Sequence, residues 1–153
     1  MDERQLGKFV EESNRIEGIL RAPTPLELEV TDRFLRRDRI ELMDLKSLVK
    51  TISGADLRLE EGMNVRVGDH FPPKGGPRIK QSLEQLLERA NAGLGHPYAV
   101  HQDYESLHPF MDGNGRSGRA LWAWMMLDQG IHGLNLGFLH CWYYQSLSFW
   151  RKR

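Results

Sequence analysis

Residues 108–119 read HPFMDGNGRSGR, and the apolar run ALWAWMML follows at once over 120–127. A helix that is greasy almost all round belongs at the centre of a bundle, so this loop sits where the core meets a working surface. Gly113, Gly115 and Gly118 permit backbone conformations closed to other residues and let N–H groups come close to a ligand. The loop opens onto a helix expected over 119–130, whose leading N–H groups and positive dipole end favour an anion. Arg116 and Arg119 add two guanidinium forks suited to phosphate oxygens. Asp112 is a lone carboxylate beside them, as a Mg²⁺ shared with phosphate oxygens requires. His108 ends a helix expected over 98–107, because Pro109 disfavours helical geometry at the residue before it. An imidazole held there can take a proton from an incoming hydroxyl near neutral pH. Together the residues describe a polyphosphate site with a metal and a general base.

Within the loop, GNGRSG (113–118) also fits the glycine pattern of dinucleotide-binding folds. That pattern has to follow an apolar strand in a βαβ unit. Here SLHPFMD precedes it and no β/α alternation surrounds it, so the dinucleotide reading is rejected.

Outward from the loop, the chain reads as one mainly α domain over 1–153, a helical bundle around the central buried helix. Apolar residues recur at helical spacing in 2–20 (Leu6, Phe9, Val10, Ile16, Leu20) and in 32–52 (Leu42, Leu45, Leu48, Val49, Ile52). IKQSLEQLLERA (79–90) is the cleanest case, opened by Gly76-Pro77 and closed by Asn91 to Gly93. A last helix is expected at about 136–150, rich in aromatics. Only MNVRVGDHFPPKGG (63–76) breaks the pattern: Val65 and Val67 alternate before a Gly68-Asp69 turn, which predicts a small β-hairpin or flap.

Bulk composition narrows the function classes. Lys plus Arg and Asp plus Glu both number 21, so there is no overall attraction to nucleic acid and any basic site must be local. The single cysteine, Cys141, admits no internal disulfide and reads as a packed thiol among aromatics. MDERQLGKFVEES is charged from its second residue, unlike a signal peptide, and no stretch offers the roughly 18 apolar residues of a membrane span. A cytoplasmic protein without membrane contact is expected. His96, His101, His108 and Asp112 do not form a zinc pattern, since no two of the histidines stand one helical turn apart.

HPFMDGNGRSGR resembles the signature of the Fic-domain family, H-P-F-x-[D/E]-G-N-G-R-x-x-R, at all nine defined positions. VRVGDHFPP is similar to the family's flap, and HCWYYQSL to its tyrosine-bearing helix. The resemblance implies transfer of AMP from ATP to a hydroxyl side chain (Ser, Thr or Tyr) of a target protein. His108 would be the catalytic base and Asp112 the ligand of Mg²⁺. Gly113, Asn114 and Gly115 would form the anion hole, and Arg116 and Arg119 would grip the β- and γ-phosphates. Ser117 and Gly118 would complete the ATP-binding run, with Val67, Gly68, Asp69 and His70 of the flap and the pair Tyr143 and Tyr144. Family members of the Doc toxin type carry lysine at the second glycine of GNG and phosphorylate instead; Gly115 stands there in this chain and speaks for AMP transfer.

The first helix carries a second signal. Ser13 and Glu17 fall four residues apart on its apolar stripe, where a carboxylate needs a cation. SNRIEGI resembles the family's inhibitory motif, [S/T]-x-x-x-E-[G/N], through Ser13, Glu17 and Gly18. The implied class has an N-terminal inhibitory helix (1–20) whose Glu17 pairs with Arg119 and denies it to the γ-phosphate. Alternatives are removal of AMP with Glu17 as the base, and a non-catalytic binding module of the same fold. The aromatic tail LSFWRKR (147–153) is a candidate homodimer contact.

Overall fold

Prolines and capping residues set most of the helix starts. In the computed structural model, which describes residues 2–130, the helices are α1 (Glu3–Ile16), α2 (Pro25–Leu35), α3 (Leu42–Ser53), α4 (Pro77–Asn91), α5 (Pro97–Leu107) and α6 (Asn114–Asp128). Pro25, Pro77 and Pro97 each stand in the first turn, where a missing N–H costs nothing. Thr24 and Glu27 add a reciprocal capping box at the head of α2.

α6 is the central helix. It packs against α5, α2, α1 and α3, and Leu121, Met125, Ala120, Ala123 and Trp124 along it are buried. Ile79, Leu83, Leu45, Leu48, Val49 and Val100 close the core around it. Each such side chain contributes about 1.5–3 kcal/mol by leaving water, so the bundle, and with it the start of α6, is firmly seated.

Boundaries differ from the sequence-based expectation in three places. α1 stops at Ile16 rather than 20, because Gly18 turns left-handed (φ 76°) and Gly18 N–H and Ile19 N–H bond back to Arg15 and Asn14 carbonyls at 2.9 and 3.0 Å. That is a Schellman closure. Leu20 therefore lies beyond the helix and is exposed, not part of its apolar stripe. The 32–52 segment is broken: Ile40 is buried in a loop, its N–H and C=O both held at 2.8 Å by the Asn91 side chain. α6 begins at Asn114 rather than 119, so Gly115 and Gly118 are helical and only Gly113 of the three glycines is left-handed (φ 78°).

The 63–76 segment is a turn rather than a paired hairpin. Among the described residues its β pairing is one bridge, Val67 with His70, closed by bonds of 3.0 and 2.9 Å. Pro72 and Pro73 follow and cannot donate to a ladder. No helix among the described residues is long and apolar enough to cross a membrane. The helix expected at 136–150, with Cys141, Tyr143, Tyr144 and the LSFWRKR tail, lies outside the described residues.

Candidate functional site

α5 ends at His108, which adopts a left-handed backbone (φ 49°, ψ 62°) that costs a non-glycine residue free energy. Its N–H still bonds the Tyr104 carbonyl at 2.9 Å, so the residue turns the chain out of α5 without losing the helix cap. The ring Nδ1 lies 3.3 Å from the Glu105 carbonyl and 4.0 Å from the buried Glu105 carboxylate. A carbonyl only accepts, so the proton sits on Nδ1 and the lone pair on Nε2.

Between His108 and α6 the loop is pinned from within. The buried Asn114 side chain accepts from Phe110 N–H and donates to Phe110 C=O, both at 2.8 Å. Phe110 itself is buried and bridges to Leu57. Asp112 Oδ1 accepts the Gly113 N–H at 2.7 Å while the residue stays exposed. Gly113 is the N-cap of α6, so the leading N–H groups of that helix open at the loop.

These groups line one cleft of about 450 Å³, formed by His108, Met111, Asp112, Gly113, Asn114, Gly115 and Arg116, with Val65 and Arg66 from the 63–76 turn and Glu17 and Ile19 from the end of α1. Of the turn, Val65 and Arg66 face this cleft. His70 instead donates from Nε2 to the Ser106 carbonyl at 2.9 Å, and Asp69 is a solvated partner of Arg66 at 3.8 Å. Ser117 and Gly118 turn toward α5. Ser117 Oγ sits 2.7 Å from the Tyr104 hydroxyl and 2.8 Å from the Gly113 carbonyl, and a Cβ on Gly118 would meet Tyr104 and Glu105.

Arg116 is half-buried; burial pushes its pKa down, while Asp112, Glu17 and Glu27 pull it back up. It remains a cation at any working pH. Its nearest carboxylate is Glu27, at 3.8 Å, which also receives both forks of Arg21 at 2.8 and 2.9 Å. That pairing with Arg21 is the main reason Glu27 titrates at about 2, ahead of its backbone bond from Thr24.

Arg119 is fully buried and is held from α1. Its Nε donates to Ser13 Oγ at 2.8 Å, and its Nη2 to the Ser13 carbonyl at 2.9 Å and Glu17 Oε1 at 2.6 Å. Glu17 Oε1 also rests against Gly115, so closely that a Cβ there would collide with it. A carboxylate thus occupies the first turn of α6 between the two arginines, where dipole and guanidinium favour an anion. Gly18 closes α1 directly after this residue, leaving Glu17 as the C-cap of the helix.

Arg58, Glu27, Glu105 and Arg66 were not singled out from the sequence, and Val65 was read only as part of the expected flap. Glu27 had a readable signal in the Thr24-Pro25-Leu26-Glu27 capping pattern. Arg58 had none: it stands between Leu57 and Leu59 as an ordinary charge. Among the described residues no cluster of three or more His, Cys, Asp or Glu forms a metal site.

Residues 37–126 match the Fic/DOC family. The chain is 31% identical over 137 residues to a protein named "Protein adenylyltransferase Fic" from Drosophila persimilis, and 31% over 134 residues to proteins of the same name from Aedes aegypti and Culex quinquefasciatus. Each match covers 81% of this chain and 26% of the relative, so the chain spans about a quarter of their length.

Proposed function

The chain belongs to the Fic/DOC family, and from that premise we propose that it transfers AMP from ATP to a hydroxyl side chain of a target protein. The observation that carries the reading is the cleft in which His108, Asp112, the start of α6 and Arg116 converge while a carboxylate from α1 sits at the anion position. The relatives' name, adenylyltransferase, agrees with that chemistry.

In this mechanism the β- and γ-phosphates lie against Arg116 and Arg119 and the α6 N-terminus. His108 Nε2 removes the proton of the acceptor hydroxyl, whose oxygen bonds to the α-phosphorus. The bond from that phosphorus to the bridging oxygen breaks, and pyrophosphate leaves with the pair. The arginines stabilise the charge that builds on the leaving group, from positions fixed before the reaction begins. Asp112 would hold a Mg²⁺, because its carboxylate is exposed at the cleft and binds one backbone N–H only through Oδ1. When bound, the ion neutralises phosphate charge. Gly115 supports AMP transfer over phosphorylation: a side chain there would meet Glu17 and Arg119, whose Nη1 lies 3.0 Å from the Cβ position. The 63–76 turn holds the acceptor segment by its exposed backbone edge.

Glu17 is the inhibitor in this reading. Its bond to Arg119 engages the cation that the γ-phosphate needs, so the wild-type protein transfers slowly. The test is Glu17→Gly, assayed with labelled ATP and Mg²⁺ against itself and lysate proteins. Label should appear at high level with this variant and vanish when His108→Ala is added. A folded Glu17→Gly protein that binds no ATP, or labels nothing, overturns the proposal.

A further inference from the structure

Arg58 and Arg119 are the largest side chains to be completely buried among the described residues, and unlike Arg119, Arg58 forms no ion pair with a carboxylate there. Burying a cation is costly unless polar groups surround it. Here the surroundings are carbonyls. Nε donates to His108 C=O at 2.7 Å and Nη2 to Leu107 C=O at 2.8 Å, which are the last carbonyls of α5 and its negative dipole end. Nη1 donates to Pro73 C=O at 2.8 Å and Met63 C=O at 3.2 Å, at the two ends of the 63–76 turn. The backbone of the same residue adds Arg58 N–H to Pro109 C=O at 2.9 Å and Gly76 N–H to Arg58 C=O at 3.0 Å. Burial lowers the pKa of the guanidinium, which stays charged.

One planar fork thus joins both ends of the flap to the strained backbone of His108. We propose that Arg58 is a positioning residue for the transfer reaction: it sets the distance between the flap that carries the acceptor and the imidazole that deprotonates it. The inference rests on the adenylyl-transfer reading. Arg58 hydrogen-bonds the Leu107, His108, Met63 and Pro73 carbonyls and none of Gly113, Gly115, Arg116 or Arg119, so the groups proposed to hold the phosphates do not hang on it. Misplacing a reacting group by about 1 Å costs on the order of 100-fold in rate even when binding is intact.

The test compares Glu17→Gly with Glu17→Gly/Arg58→Lys. A lysine ammonium is a point donor and cannot span four carbonyls arranged for a fork. Three readouts are taken: affinity for ATP with Mg²⁺ by calorimetry, hydrolysis of ATP to AMP and pyrophosphate with water as acceptor, and label transferred to lysate proteins. The expected result is unchanged ATP affinity, retained hydrolysis and transfer to protein lowered roughly 10- to 100-fold. Transfer equal to the parent overturns the inference. So does a parallel loss of ATP binding and transfer, which is what a plain structural plug would give. If Arg58→Lys does not fold, a Gly-Gly insertion after Lys74 slackens the same flap root and is held to the same outcomes. Failure of the Glu17→Gly parent to transfer at all marks the functional reading, not this inference, as wrong.

Discussion

Gly118 lies within α6, and its missing side chain is what lets α5 approach. A Cβ there would stand 2.8 Å from Tyr104 Cδ1 and would collide with Glu105. Gly118→Ala should therefore lose about 1–3 kcal/mol by overpacking, against a gain of about 1 kcal/mol in helix propensity. Urea unfolding would decide it, and a variant more stable than the parent by the full propensity gain of about 1 kcal/mol would refute the packing argument. Gly113 works differently: its left-handed backbone (φ 78°) forms the N-cap, and a Cβ would press on Ser53 Oγ at 2.6 Å. Three glycines in one motif read alike in a sequence, because glycine reports that a side chain is unwelcome and not why. His108, Asp112, Arg116 and Glu17, which the structure brings to one cleft, could be picked out in the sequence because their chemistry travels with the side chain.

At the scale of elements, two buried titratable groups make helix packing sensitive to acid. His101 on α5 stacks on Trp122 of α6, with ring centroids 5.8 Å apart. Burial, helped by the nearby Arg119 charge, pushes it down to about 3. The unfolded chain takes up that proton near 6.5, so the stability due to His101 is complete above pH 6.5 and drains away toward pH 3. Glu27, at the head of α2, is lowered from 4.5 to about 2 and contributes fully above pH 4.5, with its share lost as pH falls to 2. Melting curves should separate the two. His101→Gln flattens the decline between pH 6.5 and 4.5, and Glu27→Gln flattens it below 4.5 at a cost on the order of 2 kcal/mol at neutral pH, discounted for the exposure of Arg21. Unaltered slopes would remove both assignments. Of the three helices opened by proline, α4 and α5 were legible to within a residue or two, while α2 was not read as a helix of its own. The break between α2 and α3 was not, because it depends on Asn91 holding Ile40 from 51 positions away. Arg58 was hidden for the same reason: its partners are backbone carbonyls, which every residue carries.

Over the whole molecule, α1 is tied to the start of α6 by a long-range contact, with Glu17 reaching Arg119 across 102 positions. Glu17→Gly removes the carboxylate facing a buried guanidinium and should cost about 1–3 kcal/mol in the absence of nucleotide. ATP with Mg²⁺ then restores more stability to the variant than to the wild type, because a ligand stabilises in proportion to its occupancy of the folded state. Equal thermal shifts in both proteins would refute competition for Arg119. This long-range link was legible only as a carboxylate on an apolar stripe in need of a cation, and its partner came from resemblance. The left-handed bend at His108 has a consequence of its own. Most side chains resist that conformation, and asparagine tolerates it better than histidine. If the proposed transfer holds, His108→Asn should accordingly be inert yet more stable by up to about 1 kcal/mol in thermal unfolding, because durability alone would have chosen another residue at this bend.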